Sequence, residues 1–110
     1  MTDKIVVLCT CASPEDGESL GRALVEAGHA ACVSVVPAAL SIYRWKGEIQ
    51  SARESLLLIK SSRARFDALR GAIESMHSYE VPEVLALPVV DGAPNYLAWL
   101  ATCLPGGDAA

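Results

Sequence analysis

The chain carries two long extended segments that are separated by a single tight reversal. The first runs from about Ala30 to Lys46, and its end alternates aromatic with basic side chains in a period of two residues. The second runs from about Ile49 to Lys60. Because the reversal at Lys46-Gly47-Glu48 is short and has a glycine at its centre, the pattern predicts a β-hairpin made of these two strands.

The length of this hairpin indicates that it projects beyond its own domain. Residues Ala30 to Lys46 would span up to about 56 Å as a straight strand, whereas a compact chain of this size has a diameter of about 34 Å. A bend at Pro37 shortens the strand without closing that gap. Projecting edge strands that carry Tyr43 and Trp45 invite aggregation unless another subunit covers them. We therefore expect an obligate oligomer that assembles through the hairpin.

The remaining segments complete an α+β pattern. Ser13 at an N-cap position, Pro14 in the first turn and Gly28 at the end mark the first helix. The resulting order, β-α-β-β-α-β followed by a C-terminal helix, is typical of a ferredoxin-like sandwich. The predicted elements besides the hairpin are a strand at Lys4–Cys11, helices at Ser13–Gly28 and Ser61–His77, a strand at Glu83–Val90 and a terminal helix at Pro94–Leu104.

Two prolines indicate which strands lie at the edges of the sheet. Proline cannot donate a ladder hydrogen bond, so it belongs on edge strands or at bulges. Pro37 falls in the second predicted strand and Pro88 in the fourth, while the first and third strands contain none. The sheet order 4-1-3-2 places the two proline-containing strands at its edges, as expected for the ferredoxin-like plan.

Length and composition are typical of one ordered domain. The 110 residues suffice for a single core, and 52% hydrophobic with 20% charged residues excludes a disordered chain. We predict one domain over residues 1–110, in which 105–110 form a frayed tail.

Charge and hydropathy exclude several classes of partner. The net charge is −4, and the nine Lys and Arg residues are scattered, so neither nucleic acid nor an anionic membrane surface is expected to bind. No apolar run approaches the roughly 20 residues of a membrane span. The N-terminal residues lack the apolar core of a secretory leader. We expect a cytoplasmic protein.

Four cysteines are present and give no pattern of a disulfide framework. Cys9 and Cys11 alternate with Thr10 in a predicted strand, so both thiols point to one face. Two thiols on one face could bind a soft metal, although small buried hydrophobic residues are the simpler interpretation.

The two residues at the end of the second predicted helix also have a structural interpretation. Met76 is in register with Phe66, Leu69 and Ile73, which predicts core packing. His77 is expected to cap the helix by donating to its free carbonyl groups. Nothing in the sequence positions a nucleophile against a histidine, and no phosphate-binding loop is present, so no catalytic reaction is expected.

Four stretches of the chain resemble the CutA family, named for divalent cation tolerance. They are ALVEAGHAACVSVVP, SIYRWKGEI, LLLIKSS and HSYEVPEVLALPVVDGAPNYLAWL, and the resemblance covers almost the whole chain. It implies a ferredoxin-like subunit, a tight homotrimer and a cytoplasmic role in tolerance of copper and other divalent ions. It implies no established catalytic reaction.

The resemblance also implies a metal site. The family's proposed copper ligands are a cysteine at the end of the first strand and two adjacent histidines, which match Cys9, Met76 and His77 here. Methionine in place of the first histidine weakens the inference for Cu(II) and still allows Cu(I). Two further departures are Ser78, where the family usually has proline, and Ala38, where it usually has glycine.

The alternative is a trimeric signalling or ligand-sensing protein similar to the PII proteins, with small-molecule clefts between subunits. Tyr43, Trp45, Tyr79, Glu80 and Glu83 would line such a cleft. Interface anchors are the simpler interpretation of Tyr43 and Trp45. A third interpretation is a scaffold whose trimer presents a partner-binding surface.

Overall fold

A computed structural model describes residues 1–104 as a four-stranded sheet with helices. The predicted tail at 105–110 lies outside the described residues. A single turn of 3-10 helix, Arg63–Arg65, precedes the second α-helix. The elements in chain order are β1 (Lys4–Cys11), α1 (Pro14–Glu26), β2 (Cys32–Trp45), β3 (Glu48–Ser62), α2 (Phe66–Met76), β4 (Leu85–Pro88) and α3 (Pro94–Thr102).

The sheet is antiparallel with the order β2-β3-β1-β4, which confirms the predicted ferredoxin-like arrangement. β2 and β4, the two strands that contain proline, lie at its edges. Alternate side chains of β1 and β3 are buried on one face, against which α1 and α2 pack. The largest fully buried members of this core are Leu24, Leu57, Ile59, Leu69 and Ile73. Burial of each contributes about 1.5–3 kcal/mol to the stability of the fold.

The β2–β3 hairpin gives the molecule its elongated shape. Trp45 pairs with Glu48, which leaves a loop of two residues, Lys46 and Gly47. Both have positive φ, 52° and 84°, as a type I′ turn requires. The molecule measures 45 × 25 × 21 Å along its principal axes. The predicted long, projecting hairpin is therefore confirmed.

A bulge interrupts β2 at its proline. Pairing with β3 is regular up to Val36 and resumes at Ala39, so Pro37 and Ala38 have no partners in the ladder. Ala38 has a φ of 64°, in the left-handed region. A bulge bends the strand locally, and it lets an edge strand accommodate a residue that has no N–H group.

Two predicted boundaries were wrong. The second helix was expected from Ser61, but Ser61 and Ser62 continue β3, where they pair with Ile5 and Lys4. The Ser61 hydroxyl donates to the His29 carbonyl at 2.6 Å, and this bond holds the strand against the end of α1.

β4 comprises only Leu85–Pro88 instead of 83–90. Beyond it, the Val89 N–H still donates to the Lys4 carbonyl at 3.0 Å, but the ladder ends at the proline.

Candidate functional site

Three potential metal ligands meet at the end of β1. The Sγ atoms of Cys9 and Cys11 and a ring nitrogen of His77 all lie within 4.8 Å of one another. The two-residue period of β1 places both thiols on the inner face of the sheet, where both side chains are buried. α2 ends at Met76, and the next residue, His77, places its ring beside the two thiols. The strand and the helix end together form the site.

His77 is held in one orientation. It is the C-cap of α2, in extended conformation, and its N–H donates to the Ile73 carbonyl at 2.8 Å. Its Nε2 donates to the Thr10 carbonyl at 2.7 Å, and its Nδ1 accepts from the Tyr79 N–H at 3.0 Å. Because a carbonyl can only accept and an amide N–H can only donate, the imidazole carries its proton on Nε2.

His77 is the C-cap of α2, but the hydrogen-bond partner predicted for its side chain was wrong. Its ring reaches the carbonyl of Thr10 in β1, not the free carbonyl groups of its own helix. A metal ion that binds Nε2 has to displace the proton now shared with Thr10.

The two thiols interact with each other. The Cys9 thiol has two hydrogen-bond acceptors nearby. They are the Cys11 sulfur and the Thr10 carbonyl oxygen, which lies 3.8 Å from the Cys9 Sγ. The hydrogen bond from Cys9 lowers the pKa of the Cys11 thiol, despite its burial. The same bond and burial raise the pKa of Cys9. Cys11 is therefore the sulfur that first becomes a thiolate, the form that binds metal.

Met76 does not pack in the core, contrary to the prediction. It is the last residue of α2, beyond the buried positions Leu69 and Ile73, and 47% of it is exposed. Met76 lines a pocket of 170 Å³ together with Cys11 and His77. The described pocket gives an ion a route from solvent to Cys11 and His77, while Cys9 lies deeper.

Cys11 is the site residue that the family resemblance missed. The resemblance assigned only Cys9 to the metal, because Cys11 has no counterpart among the family's proposed ligands. The available signal was the Cys-Thr-Cys pattern, which already indicated two thiols on one face of the strand.

The five residues predicted to line a cleft lie around one cavity of 660 Å³ next to the metal-ligand cluster. Glu54 of β3 is a further lining residue that sequence reasoning missed. Glu54 is 8% exposed, and its carboxylate accepts a hydrogen bond from the Tyr79 hydroxyl at 2.5 Å. Burial and this carboxylate raise the pKa of Tyr79. The predicted residues are Tyr43, Trp45, Tyr79, Glu80 and Glu83.

Within residues 1–104, no helix has the length and apolar character that a membrane crossing requires.

Known proteins share both the sequence and the fold. The model of the family described as CutA1 divalent ion tolerance protein matches residues 5–103. The Divalent-cation tolerance protein CutA of Thermus thermophilus is 45% identical over 95 residues, which are 86% of this chain and 92% of the relative. Protein CutA, chloroplastic, of Arabidopsis thaliana is 42% identical over 96 residues, 87% of this chain, but this chain spans only 53% of that relative.

The crystal structure of CutA from Xylella fastidiosa has a TM-score of 0.91 against this chain at 36% identity, and the match covers 94% of this chain and 99% of that one. Sequence and structure thus agree over nearly the whole length that the structure describes. The chain belongs to the CutA1 divalent ion tolerance family.

Proposed function

We propose that this chain forms a homotrimer that binds copper or another divalent cation and thereby contributes to metal tolerance, without a catalytic reaction. The observation that carries the proposal is the cluster of two thiols and one imidazole within 4.8 Å. Family membership supports it, because relatives carry the name divalent-cation tolerance protein.

The donor set fits a transition metal better than a hard ion. Cys9, Cys11 and His77 would supply sulfur and nitrogen, which copper and zinc prefer, whereas calcium and magnesium prefer oxygen. Met76 lines the pocket that leads to Cys11, and its thioether would be a further soft ligand. The ion would be cargo, and its binding by the protein would lower the concentration of the free ion.

The trimer proposal rests on the exposed apolar residues of the hairpin. Leu40, Ile42 and Ile49 are 58%, 69% and 64% exposed. The register pairs Ile42 with Ser51 and Ile49 with Arg44, so all three apolar side chains project from one face of the hairpin. An apolar stripe on a projecting edge strand is a surface that a second copy would cover.

The remaining proposals concern organisation and location. We propose that residues 1–110 act as one domain, that neither nucleic acid nor membrane is a partner, and that the protein works in the cytoplasm. The scattered basic residues support the second proposal. The relative from Arabidopsis thaliana is named chloroplastic.

Titration of reduced, metal-free protein with Cu(I) and Cu(II) tests the metal proposal. We expect saturable binding that Cys9→Ser and His77→Ala each abolish. His29→Ala and Cys103→Ser are matched controls, since both residues lie outside the donor cluster. Wild-type affinity in both site variants would refute the assignment of the ligands. Absence of binding of copper and of other divalent cations, such as Zn(II), to well-folded wild-type protein would refute the function.

The 660 Å³ cavity favours a second candidate function, the sensing of a small molecule. Tyr43, Trp45 and Tyr79 offer aromatic faces to a planar ligand. Three carboxylates and no Lys or Arg are among the described lining residues, so a nucleotide would need cationic groups from a neighbouring subunit. Thermal stabilisation by a nucleotide or another small molecule, lost in Trp45→Ala, together with no response to copper, would favour this function over metal binding.

A further inference from the structure

We propose that the 660 Å³ cavity binds a linear aliphatic polyamine, whose ammonium groups pair with the carboxylates of the lining and whose methylene chain contacts the aromatic rings. The inference rests on the second candidate function, the sensing of a small molecule, and names the chemical class of that molecule. It does not depend on copper binding, because none of the three clustered metal ligands lines this cavity.

The strand register explains why acidic and aromatic side chains share the cavity. Glu54 of β3 pairs with Ala39 of β2, so every second residue of β2 after Ala39 projects from the same face of the hairpin as Glu54. Tyr43 and Trp45 are two of these residues, and both line the cavity. The hairpin therefore supplies a carboxylate and two aromatic rings to one side of the cavity, and Tyr79 supplies a third ring.

Glu54 is a buried carboxylate whose charge has no partner in the subunit. Only 8% of the residue is exposed, and its Oε2 accepts from the Tyr79 hydroxyl at 2.5 Å. Its Oε1 makes no hydrogen bond or ion pair within residues 1–104 and remains accessible from the cavity that Glu54 lines. Since removal of a charge from water is costly, a buried charge normally has a partner of opposite sign. A cation inside the cavity would be that partner.

Two further carboxylates distinguish a polyamine from a metal ion. Glu80 and Glu83 are exposed, line the cavity and form no ion pair with the described part of the chain. The described residues bring three metal-ligating groups together only at the cluster of Cys9, Cys11 and His77. The three carboxylates of the cavity are therefore too widely separated to share one ion. A polyamine carries several positive charges spaced by methylene groups, so it can pair with separated carboxylates.

The aromatic rings of the lining suit the same ligand. An ammonium group within about 6 Å of a ring centroid is attracted to the face of the ring, and ring faces also cover methylene groups. The Lys46 ammonium already lies 5.8 Å from the centroid of the Trp45 ring, so this ring accommodates a cation. An anionic ligand would meet only like charge, because the described lining contains three carboxylates and no Lys or Arg. A neutral ligand would leave the charge of Glu54 without a partner.

Isothermal titration of reduced, metal-free protein with spermidine tests the proposal. A salt concentration of about 0.15 M screens attraction to exposed surface charges. We expect saturable binding of one spermidine per chain and weaker binding of putrescine, which has two ammonium groups where spermidine has three. The neutral analogue of putrescine, 1,4-butanediol, should not bind.

Variants of the lining locate the binding site. Glu54→Gln keeps a hydrogen-bond acceptor but removes the charge, and loss of one partner of a buried charge pair should lower spermidine affinity by about 30-fold or more. Trp45→Ala should lower it by about 2- to 5-fold. The double variant Glu80→Gln/Glu83→Gln changes only exposed residues and should lower it by about 5-fold. Glu74→Gln is the matched control, because it removes the same charge from an exposed position of α2 outside the cavity.

The outcomes separate this inference from the functions proposed above. Circular dichroism and light scattering show whether each variant keeps its fold and assembly, and the double variant decides if Glu54→Gln does not fold. Wild-type affinity for spermidine in folded Glu54→Gln or in the double variant would overturn the site. Equal affinity for spermidine and Mg²⁺ would reveal unspecific attraction of cations and would overturn the ligand class.

No binding of spermidine to folded wild-type protein would also overturn the inference. The sensing function would still stand if another small molecule stabilised the protein and Trp45→Ala abolished that effect. Copper binding at the thiol and imidazole cluster is measured separately, so neither result decides the metal proposal.

Discussion

At the scale of single residues, the site depends on the positions of two thiol groups and one imidazole ring, those of Cys9, Cys11 and His77. The Cys-Thr-Cys pattern predicts two thiols on one face, because strand geometry alone sets that direction. The position of His77 beside them could not be predicted in the same way. It requires α2 to end at Met76 and the chain to turn extended at the next residue, and helix ends are set by tertiary contacts as much as by sequence.

Ala38 has a backbone conformation that is unfavourable for a residue with a Cβ atom. Its φ of 64° lies in the left-handed region, where a Cβ costs about 1–2 kcal/mol. Glycine avoids this cost, but it raises the conformational entropy of the unfolded chain, which lowers stability by about 0.4–1 kcal/mol. We predict that Ala38→Gly stabilises the protein by about 0.5–1 kcal/mol per chain, measured by urea denaturation at one fixed protein concentration.

Ala39→Gly is the matched control for this change, since Ala39 pairs with Glu54 in the regular part of the ladder. Glycine there should destabilise the protein by about 0.5–1 kcal/mol. Equal effects of the two substitutions would contradict the role assigned to the conformation of Ala38.

At the scale of elements, the strands and helices of the core were predictable because each has a clear local signal. Ser13 caps α1 by accepting from the Asp16 N–H at 3.1 Å, and prolines mark both edge strands. The errors fall where local and tertiary signals compete. Ser61 and Ser62 begin no helix, because pairing with β1 and burial keep them in β3. Met76 follows the helical period of the core residues but lies beyond the part of α2 that the sheet covers.

The hairpin turn gives a prediction at this scale. Lys46 occupies the first central position of a type I′ turn with a φ of 52°. Asparagine tolerates this conformation better than lysine and is preferred there. Lys46→Asn should therefore raise the stability of the protein by about 0.5 kcal/mol, seen as a higher denaturation midpoint.

Gly47→Ala is the opposite test of the same turn. An added Cβ at Gly47 meets no atom within 4 Å, so any loss of stability comes from its φ of 84° alone. We expect a loss of about 1–2 kcal/mol. A stable Gly47→Ala protein would show that the turn adopts another conformation.

At the scale of the whole molecule, the comparison of strand length with domain size predicted an elongated subunit, and the 45 Å long axis agrees. The same comparison could not identify which face of the hairpin is apolar. That depends on the pairing of β2 with β3 after the bulge, which places Leu40, Ile42 and Ile49 together.

Charge on this apolar face should disrupt the proposed trimer. Burying a carboxylate without a partner costs several kcal/mol, so Ile42→Glu should shift the mass measured by light scattering from trimer to monomer. Ser75→Glu adds the same charge to the exposed surface of α2 and should leave the mass unchanged. A trimer that persists in Ile42→Glu would mean that subunits contact each other elsewhere.

The most direct test of the metal site is X-ray absorption at the copper edge of wild-type protein loaded anaerobically with one equivalent of Cu(I) per chain. It reports the atoms bound to the ion in the intact molecule. We predict sulfur and nitrogen neighbours from Cys9, Cys11 and His77, with sulfur lost in part in Cys11→Ser. A coordination shell of oxygen and nitrogen alone would contradict the assignment of this site.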